Sequence, residues 1–231
     1  MAIPFLFQSV NLILILPLLF IMSFGDYKQY STAQLKRIFK IQIQIDQDLF
    51  PAFQPTGQTY DRLQRIVEKM ESRLTLSSAD NEATRSSLLV SHILWEASDT
   101  YDLGIFFEPL VEVQTELTPD LPHALNGKYD CALSLDNLDF APPIVSVVEV
   151  KKSNLSEGLG QCLAEMYATL KQFQQDRIYG IITDGEVWSF LKLQGHLLDA
   201  HKSRFHISNV ADIIDRIGYI AQCYKQDGNP A

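Results

Sequence analysis

Residues 144–151 read Ile-Val-Ser-Val-Val-Glu-Val-Lys and decide the fold. A run this continuously apolar is typical of a central strand that is buried on both faces of a sheet. Because side chains alternate across a strand, Glu149 and Lys151 share one face, together with Val147 and Val145. Two charges at the end of a buried strand are costly unless they pair with each other or bind a ligand. The stretch therefore predicts a central strand that ends in a functional pair.

The segments on either side of this strand alternate between helical and strand-like patterns. Before it, the sequence predicts a helix over 82–101, a β-rich stretch over 105–117 and an alternating strand over 128–135. After it come a helix over 158–173, strands over 178–182 and 187–193 that flank an Asp184-Gly185 turn, and a final helix from about Ser208. This order predicts an α/β domain over 81–231, with a mixed central sheet flanked by helices and a C-terminal helix added to it.

The first 80 residues divide into an apolar segment over 1–21 and a helical extension over 22–80. No charged residue occurs from Ala2 to Ile21. Three interpretations stay open: a mis-assigned start upstream of Met22, a membrane anchor, or a buried apolar helix. The extension predicts short helices near 32–39 and 60–74 and a strand-like run over 41–45. Lysines that follow residue 21 would mark the cytoplasmic side of an anchor, so either of the first two interpretations predicts a cytoplasmic domain.

The composition excludes several classes of protein. A chain of 231 residues with 46% hydrophobic and 20% charged residues is neither disordered nor collagen-like. Its 19 Lys and Arg residues against 28 Asp and Glu residues give a net charge of −9. That balance disfavours binding of nucleic acid through a general basic surface, although a local basic groove remains compatible with it. The three cysteines contain no CxxC pair, which indicates reduced thiols and no zinc site.

A second carboxylate precedes the functional pair. Asp130 belongs to the preceding strand, 19 residues before Glu149, and this separation allows a turn and an antiparallel return. Two carboxylates on adjacent strands can hold a hard divalent cation, which prefers oxygen ligands. Lys151 beside them can orient a water molecule and offset the charge of a phosphorane-like transition state.

Asp130 followed by Glu149-Val150-Lys151 resembles the motif of the PD-(D/E)XK nuclease superfamily, which has the restriction-endonuclease-like fold. The resemblance covers about 81–193, where the order helix, three strands, helix, strand is that of the family core. The start Asn81-Glu82-Ala83-Thr84-Arg85, the stretch 180–185 and Gln161 are similar to the N-terminal domains of type I restriction-enzyme R subunits. The chain departs from the motif at Tyr129, where the family name has proline, and a literal Pro119-Asp120 lies in a loop bounded by a further proline.

The resemblance implies a restriction-endonuclease-like core of order α-β-β-β-α-β and Mg²⁺- or Mn²⁺-dependent hydrolysis of DNA phosphodiester bonds. It implies that Asp130 and Glu149 are metal ligands and that Lys151, Glu82 and Gln161 complete the catalytic set. No helicase motif, phosphate-binding loop, zinc finger or basic run accompanies it, so a stand-alone protein that acts with partners or as a homodimer is expected. The alternative is a catalytically silent nuclease-fold module that serves protein interaction, and that is tethered to a membrane if residues 1–21 are an anchor.

Overall fold

A computed structural model describes residues 21–75, 77–78, 80–118, 121 and 123–227. The three interpretations of the apolar N-terminal segment concern residues that lie, apart from Ile21, outside this part. So does the alternative aspartate at position 120. Within the described residues, none of the helices combines the length and the apolar character that crossing a membrane requires.

The helices and strands follow one another along the described chain with short connections. The strands are β1 (Ile21–Ser23), β2 (Gln42–Gln47), β3 (Gly104–Phe107), β4 (Leu110–Val113), β5 (Ala124–Lys128), β6 (Cys131–Ser134), β7 (Ile144–Val150), β8 (Arg177–Thr183), β9 (Val187–Gln194), β10 (Leu197–His201) and β11 (Phe205–His206). The α-helices are α1 (Thr32–Ile38), α2 (Asp61–Leu74), α3 (Glu82–Arg85), α4 (Ser91–Tyr101), α5 (Gly158–Gln172) and α6 (Val210–Asp227). A π-helical turn over Ser86–Val90 joins α3 to α4.

A large mixed sheet organises the molecule. Its strands lie in the order β2-β10-β9-β8-β7-β6-β3, and β11 pairs with β9. The pairs β3–β6 and β6–β7 are antiparallel, whereas β7 and β8 are parallel, which leaves β7 in the interior of the sheet. All seven residues of β7 are buried. The predicted α/β class, with a mixed sheet and flanking helices, is confirmed.

Two apolar cores lie on opposite faces of this sheet. Side chains of α5 pack with Val147 in one core, and side chains of α4 and α6 pack with Val148 and Val150 in the other. The alternation along β7 thus divides its side chains between α5 on one face and the α4–α6 layer on the other.

Two stretches that the sequence predicts as single strands are each divided between two sheets. The stretch 105–117 becomes β3 in the large sheet and β4 in a small sheet of order β1-β5-β4. Glu108 has a left-handed backbone (φ 49°) and Pro109 follows it, so the ladder of β3 ends there. The stretch 128–135 likewise ends β5 at Lys128 and begins β6 at Cys131, with Asp130 in the bend between them.

The prediction that Val145 shares a face of the strand with Val147 is wrong. Ser134 pairs with Ile144, whereas Leu133 pairs with Ser146, so the register shifts and Val145 is an extra residue in β7. Val145 consequently packs in the core that contains Val148, and not in the core of Val147. The bulge leaves the end of the strand, where Glu149 and Lys151 lie, in its expected phase.

The segment over 22–80 contributes strands as well as helices. β2 extends the large sheet parallel to β10, and β1 pairs with β5 in the small sheet. A 3-10 helix over Phe24–Gln29 packs against α5. Gly160 permits this approach, because a Cβ at that position would lie 2.1 Å from the carbonyl oxygen of Tyr27. The segment is therefore packed onto the same sheets and helices as the rest of the domain.

Candidate functional site

Asp130 and Glu149 meet at the end of β7. Cys131, the first residue of β6, pairs with Val148 in the antiparallel β6–β7 ladder, so Asp130 in the preceding bend comes opposite Glu149. Asp130 is fixed there, because its Oδ2 accepts a hydrogen bond of 2.7 Å from the backbone N–H of Val150. The two carboxylates therefore lie beside each other, as the spacing of the sequence predicts.

Lys151 connects the other predicted residues. Its Nζ is in direct contact with Oε1 of Glu149, donates to Oε1 of Gln161 at 3.4 Å and lies 3.8 Å from Oε1 of Glu82. The structure thus brings together all five residues that the sequence singles out. Glu149 is inaccessible to solvent and only 10% of the Lys151 side chain is exposed, whereas 55% of the Glu82 side chain is exposed.

The helix that carries Glu82 is anchored to the β8–β9 turn. Asn81 caps it, with its Oδ1 accepting from the N–H of Thr84 at 2.9 Å. Arg85, at the end of α3, donates to Asp80 at 2.6 Å and to Glu186 at 2.9 Å. These bonds hold the start of α3 beside the end of β7, where Glu82 faces Lys151.

The beginning of α5 approaches the same strand end at a glycine. A Cβ at Gly158 would lie 2.7 Å from Cγ2 of Ile182 and 3.3 Å from Cγ of Lys151. Only the absence of a side chain allows the helix to come this close. As a consequence, Gln161, less than one turn further along α5, reaches the Lys151 ammonium.

Glu165 is a residue of this cluster that the sequence analysis does not identify. It is fully buried in α5, and its Oε1 accepts a hydrogen bond of 3.2 Å from Nε2 of Gln161. Its carboxyl interacts with that of Glu149. One signal in the sequence could have identified it. Glu165 follows Gln161 by four positions in the predicted helix, so the two side chains lie on the same helix face.

The Glu149 and Glu165 carboxyls have unsatisfied oxygens. Both oxygens of Glu149 and Oε2 of Glu165 are buried without a hydrogen-bond partner among the described residues, although Lys151 is in ionic contact with Glu149. As two carboxylates, both groups only accept hydrogen bonds, and neither satisfies the other. A proton on one of them, or a cation between them and their neighbours, would remove the conflict.

The buried carboxyls have raised pKa values. Burial, reinforced by the charge of Asp130, raises the pKa of Glu149 to about 7 against the opposing effect of Lys151. Burial also raises the pKa of Asp130, and burial together with the Glu149 charge raises the pKa of Glu165 well above its usual range. Burial alone would lower the pKa of Lys151, but the surrounding carboxylates outweigh it and the net pKa is raised.

The donor set fits a hard divalent cation. Asp130 and Glu149 supply carboxylate oxygens, and the buried oxygens of Glu149 lack hydrogen bonds. Within the described ranges, no three His, Cys, Asp or Glu side chains are arranged as a ready-made metal site. Mg²⁺ is commonly bound by one or two carboxylates, with water and substrate phosphate completing its octahedron. The two carboxylates at the end of β7 meet that requirement in number and in ligand type.

A groove of about 750 Å³ lies elsewhere on the molecule and does not include the cluster. It runs between α2 and α4, and its lining includes Trp95 and Phe107, whose side chains are among the large exposed apolar groups. None of the five predicted residues lines this groove.

No protein-family model matches the chain, and no curated protein matches it. The residues that converge at the end of β7 are therefore the basis for assigning a function.

Proposed function

We propose that this protein is a divalent-metal-dependent nuclease of the PD-(D/E)XK type that hydrolyses DNA phosphodiester bonds. The observation that carries the proposal is the convergence of Asp130, Glu149 and Lys151 at the end of the central strand, with Gln161 and Glu82 in reach of the lysine. A surface ion pair would not require a carboxylate that is inaccessible to solvent.

The order of elements supports the same proposal. Among the elements of the large sheet, the helical segment from α3 to α4, the antiparallel strands β3, β6 and β7, helix α5 and the parallel strand β8 occur in the order α-β-β-β-α-β. Strands β4 and β5 of the small sheet are inserted between β3 and β6. The order α-β-β-β-α-β is the one expected for a restriction-endonuclease-like core, and the cluster lies at the end of its third strand.

Each residue has a chemical role in this proposal. Asp130 and Glu149 would hold Mg²⁺ or Mn²⁺, which when bound polarises the scissile phosphate and lowers the pKa of a coordinated water. Lys151 donates to the attacking water or to the phosphoryl oxygens as negative charge develops on them. Gln161 orients the lysine through its 3.4 Å contact, and Glu82 presents a carboxylate that is 55% exposed beside the lysine. The raised pKa of Glu149 means that metal binding releases a proton near neutral pH.

A cleavage assay tests the proposal. The purified protein is incubated with supercoiled plasmid, single-stranded DNA and RNA in Mg²⁺ or Mn²⁺, with chelator and Glu149→Ala as controls. We expect metal-dependent cleavage that is lost in both controls. Cleavage that survives chelation or the substitution would contradict the assignment. The same material in sedimentation experiments tests the expected homodimer, and fractionation of the native protein tests the expected cytoplasmic location.

A silent interaction module of the same fold is the second candidate. The net charge of −9 favours it, because such a surface repels the phosphate backbone of DNA. The two candidates differ in metal binding. Thermal stabilisation by Mn²⁺ that is present in the native chain and absent in Glu149→Ala supports the nuclease, whereas no stabilisation in either supports the module.

A further inference from the structure

Four side chains at the end of β7, one of them the proposed metal ligand Glu149, form a closed chain of interactions. Lys151 contacts Glu149 and donates to Gln161 at 3.4 Å. Gln161 donates to Glu165 at 3.2 Å, and the Glu165 carboxyl interacts electrostatically with that of Glu149. Lys151 donates to Gln161 and is paired with Glu149, Gln161 accepts from the lysine and donates to Glu165, and the two carboxyls have no donor between them.

Packing alone does not account for an acidic residue at position 165. Its neighbours in α5, Cys162 and Met166, belong to an apolar core, and the side chain is inaccessible to solvent. An apolar residue of similar volume at such a place is often neutral or stabilising compared with a buried ionisable group. Glu165 also leaves Oε2 without a hydrogen bond. The residue therefore imposes a free-energy cost that the fold does not require.

We propose that Glu165 is a positioning residue, which holds Gln161 and Glu149 in place and, through Gln161, aims the Lys151 ammonium. This inference rests on the proposed metal-dependent function. The contacts give it a definite chemical form: the residue at 165 must accept from the Gln161 amide and interact with the Glu149 carboxyl. Groups that orient a metal ligand from behind commonly change metal affinity or activity 10- to 100-fold when they are removed, as an order of magnitude.

Two substitutions at position 165 distinguish a positioning role of Glu165 from a purely structural one. Glu165→Gln keeps an acceptor for Gln161 and supplies N–H donors to Glu149, so it can reproduce both contacts. Glu165→Leu fills the same space without either contact. Thr169→Val is the matched control, because Thr169 lies one turn further along α5 and bonds the Glu165 backbone carbonyl and the Tyr129 hydroxyl, not the cluster.

The test measures Mn²⁺ affinity by calorimetry and the melting temperature of each full-length variant. We expect Glu165→Leu to melt no lower than the native protein while binding Mn²⁺ about tenfold or more weakly. Glu165→Gln should keep its Mn²⁺ affinity within about threefold of the native value, which is small beside the loss expected when the partner is removed. Thr169→Val should lower the melting temperature and leave the Mn²⁺ affinity at its native value. Where cleavage is measurable, the loss in Glu165→Leu should fall on kcat more than on KM.

The outcomes distinguish the inference from the function on which it rests. Native Mn²⁺ affinity in Glu165→Leu would overturn the positioning role and leave the proposed nuclease intact. Equal loss in the leucine and glutamine variants would also overturn it, since the glutamine retains the contacts. Failure of the unsubstituted protein to bind Mn²⁺ would overturn both. If Glu165→Leu does not fold, the comparison of Glu165→Gln with Glu165→Met decides by the same criterion.

Discussion

The buried carboxyl of Glu149 should make the metal-free protein less stable as the pH rises. Its pKa of about 7 in the folded protein lies above its ordinary value of 4.5. A folded state that binds a proton more tightly than the unfolded chain is favoured at low pH. The contribution of Glu149 is therefore fully present below about pH 4.5 and is lost as the pH rises through 7.

The size of the effect follows from the same two values. At about 1.4 kcal/mol for each pH unit between them, the free energy of unfolding falls by about 3 kcal/mol from pH 4.5 to above pH 7. Glu149→Gln removes the titrating group and keeps its volume. The pH profiles of the native and substituted proteins should therefore diverge by about this amount, with the glutamine variant losing less stability toward high pH.

Urea unfolding at pH 5, 6, 7 and 8 in the presence of chelator measures this divergence. Asp215→Asn is the control, because Asp215 is another buried carboxyl, bonded by Thr56 and Tyr101 in the opposite core. The Asp215→Asn variant should still show the decrease in the free energy of unfolding that Glu149 causes as the pH rises. Parallel profiles for the native protein and Glu149→Gln would refute the reasoning, since they would mean that Glu149 is not forced to hold its proton in the fold.

Further substitutions and a truncation test the site, the packing of α5 and the role of the N-terminal segment. Lys151→Ala should reduce cleavage about a hundredfold or more and leave the Mn²⁺ affinity near its native value, whereas Glu149→Ala should reduce both cleavage and Mn²⁺ affinity. Calorimetry measures the affinities, and an equal loss in the two variants would mean that Lys151 is only an ion-pair partner. Gly160→Ala should cost about 2 kcal/mol in urea unfolding because its methyl group collides with a backbone carbonyl, while Gly25→Ala, whose nearest added contact is 3.9 Å away, should be close to neutral. A chain that begins at Met22 should remain folded, with a native circular dichroism spectrum; an insoluble product, when the full chain in detergent is folded, would contradict this.

The parts of the site that lie on strands could be predicted from the sequence. The period of two along β7 places Glu149 and Lys151 on one face, and a short antiparallel connection brings Asp130 to them. The burial of Glu165 in the site could not be predicted, for a physical reason. A helix presents a new face every residue, so whether an isolated acid within an apolar stripe is buried depends on how the helix sits against the sheet.

The division of the strands also lay beyond the sequence pattern. Alternation over 128–135 continues through a bend at Asp130, because side-chain polarity does not record which sheet a backbone pairs with. The extra residue at Val145 is defined only by its partner strand, since a bulge is a mismatch between two ladders. Both features depend on distant pairing rather than on local preference.

The π-helical turn between α3 and α4 accommodates one residue more than a regular helix holds over the same turn. The N–H of Ser91 bonds the carbonyl of Ser86, five residues back, where a regular α-helix would use four. Loss of one codon within 86–90 would therefore close a regular turn and leave Glu82 and Arg85 nearly in phase with α4. The same loss from a regular part of the helix would rotate everything upstream by about 100° and shift it by about 1.5 Å, away from Lys151 and the β8–β9 turn. Single-residue deletions about one turn apart should thus have opposite consequences for the site.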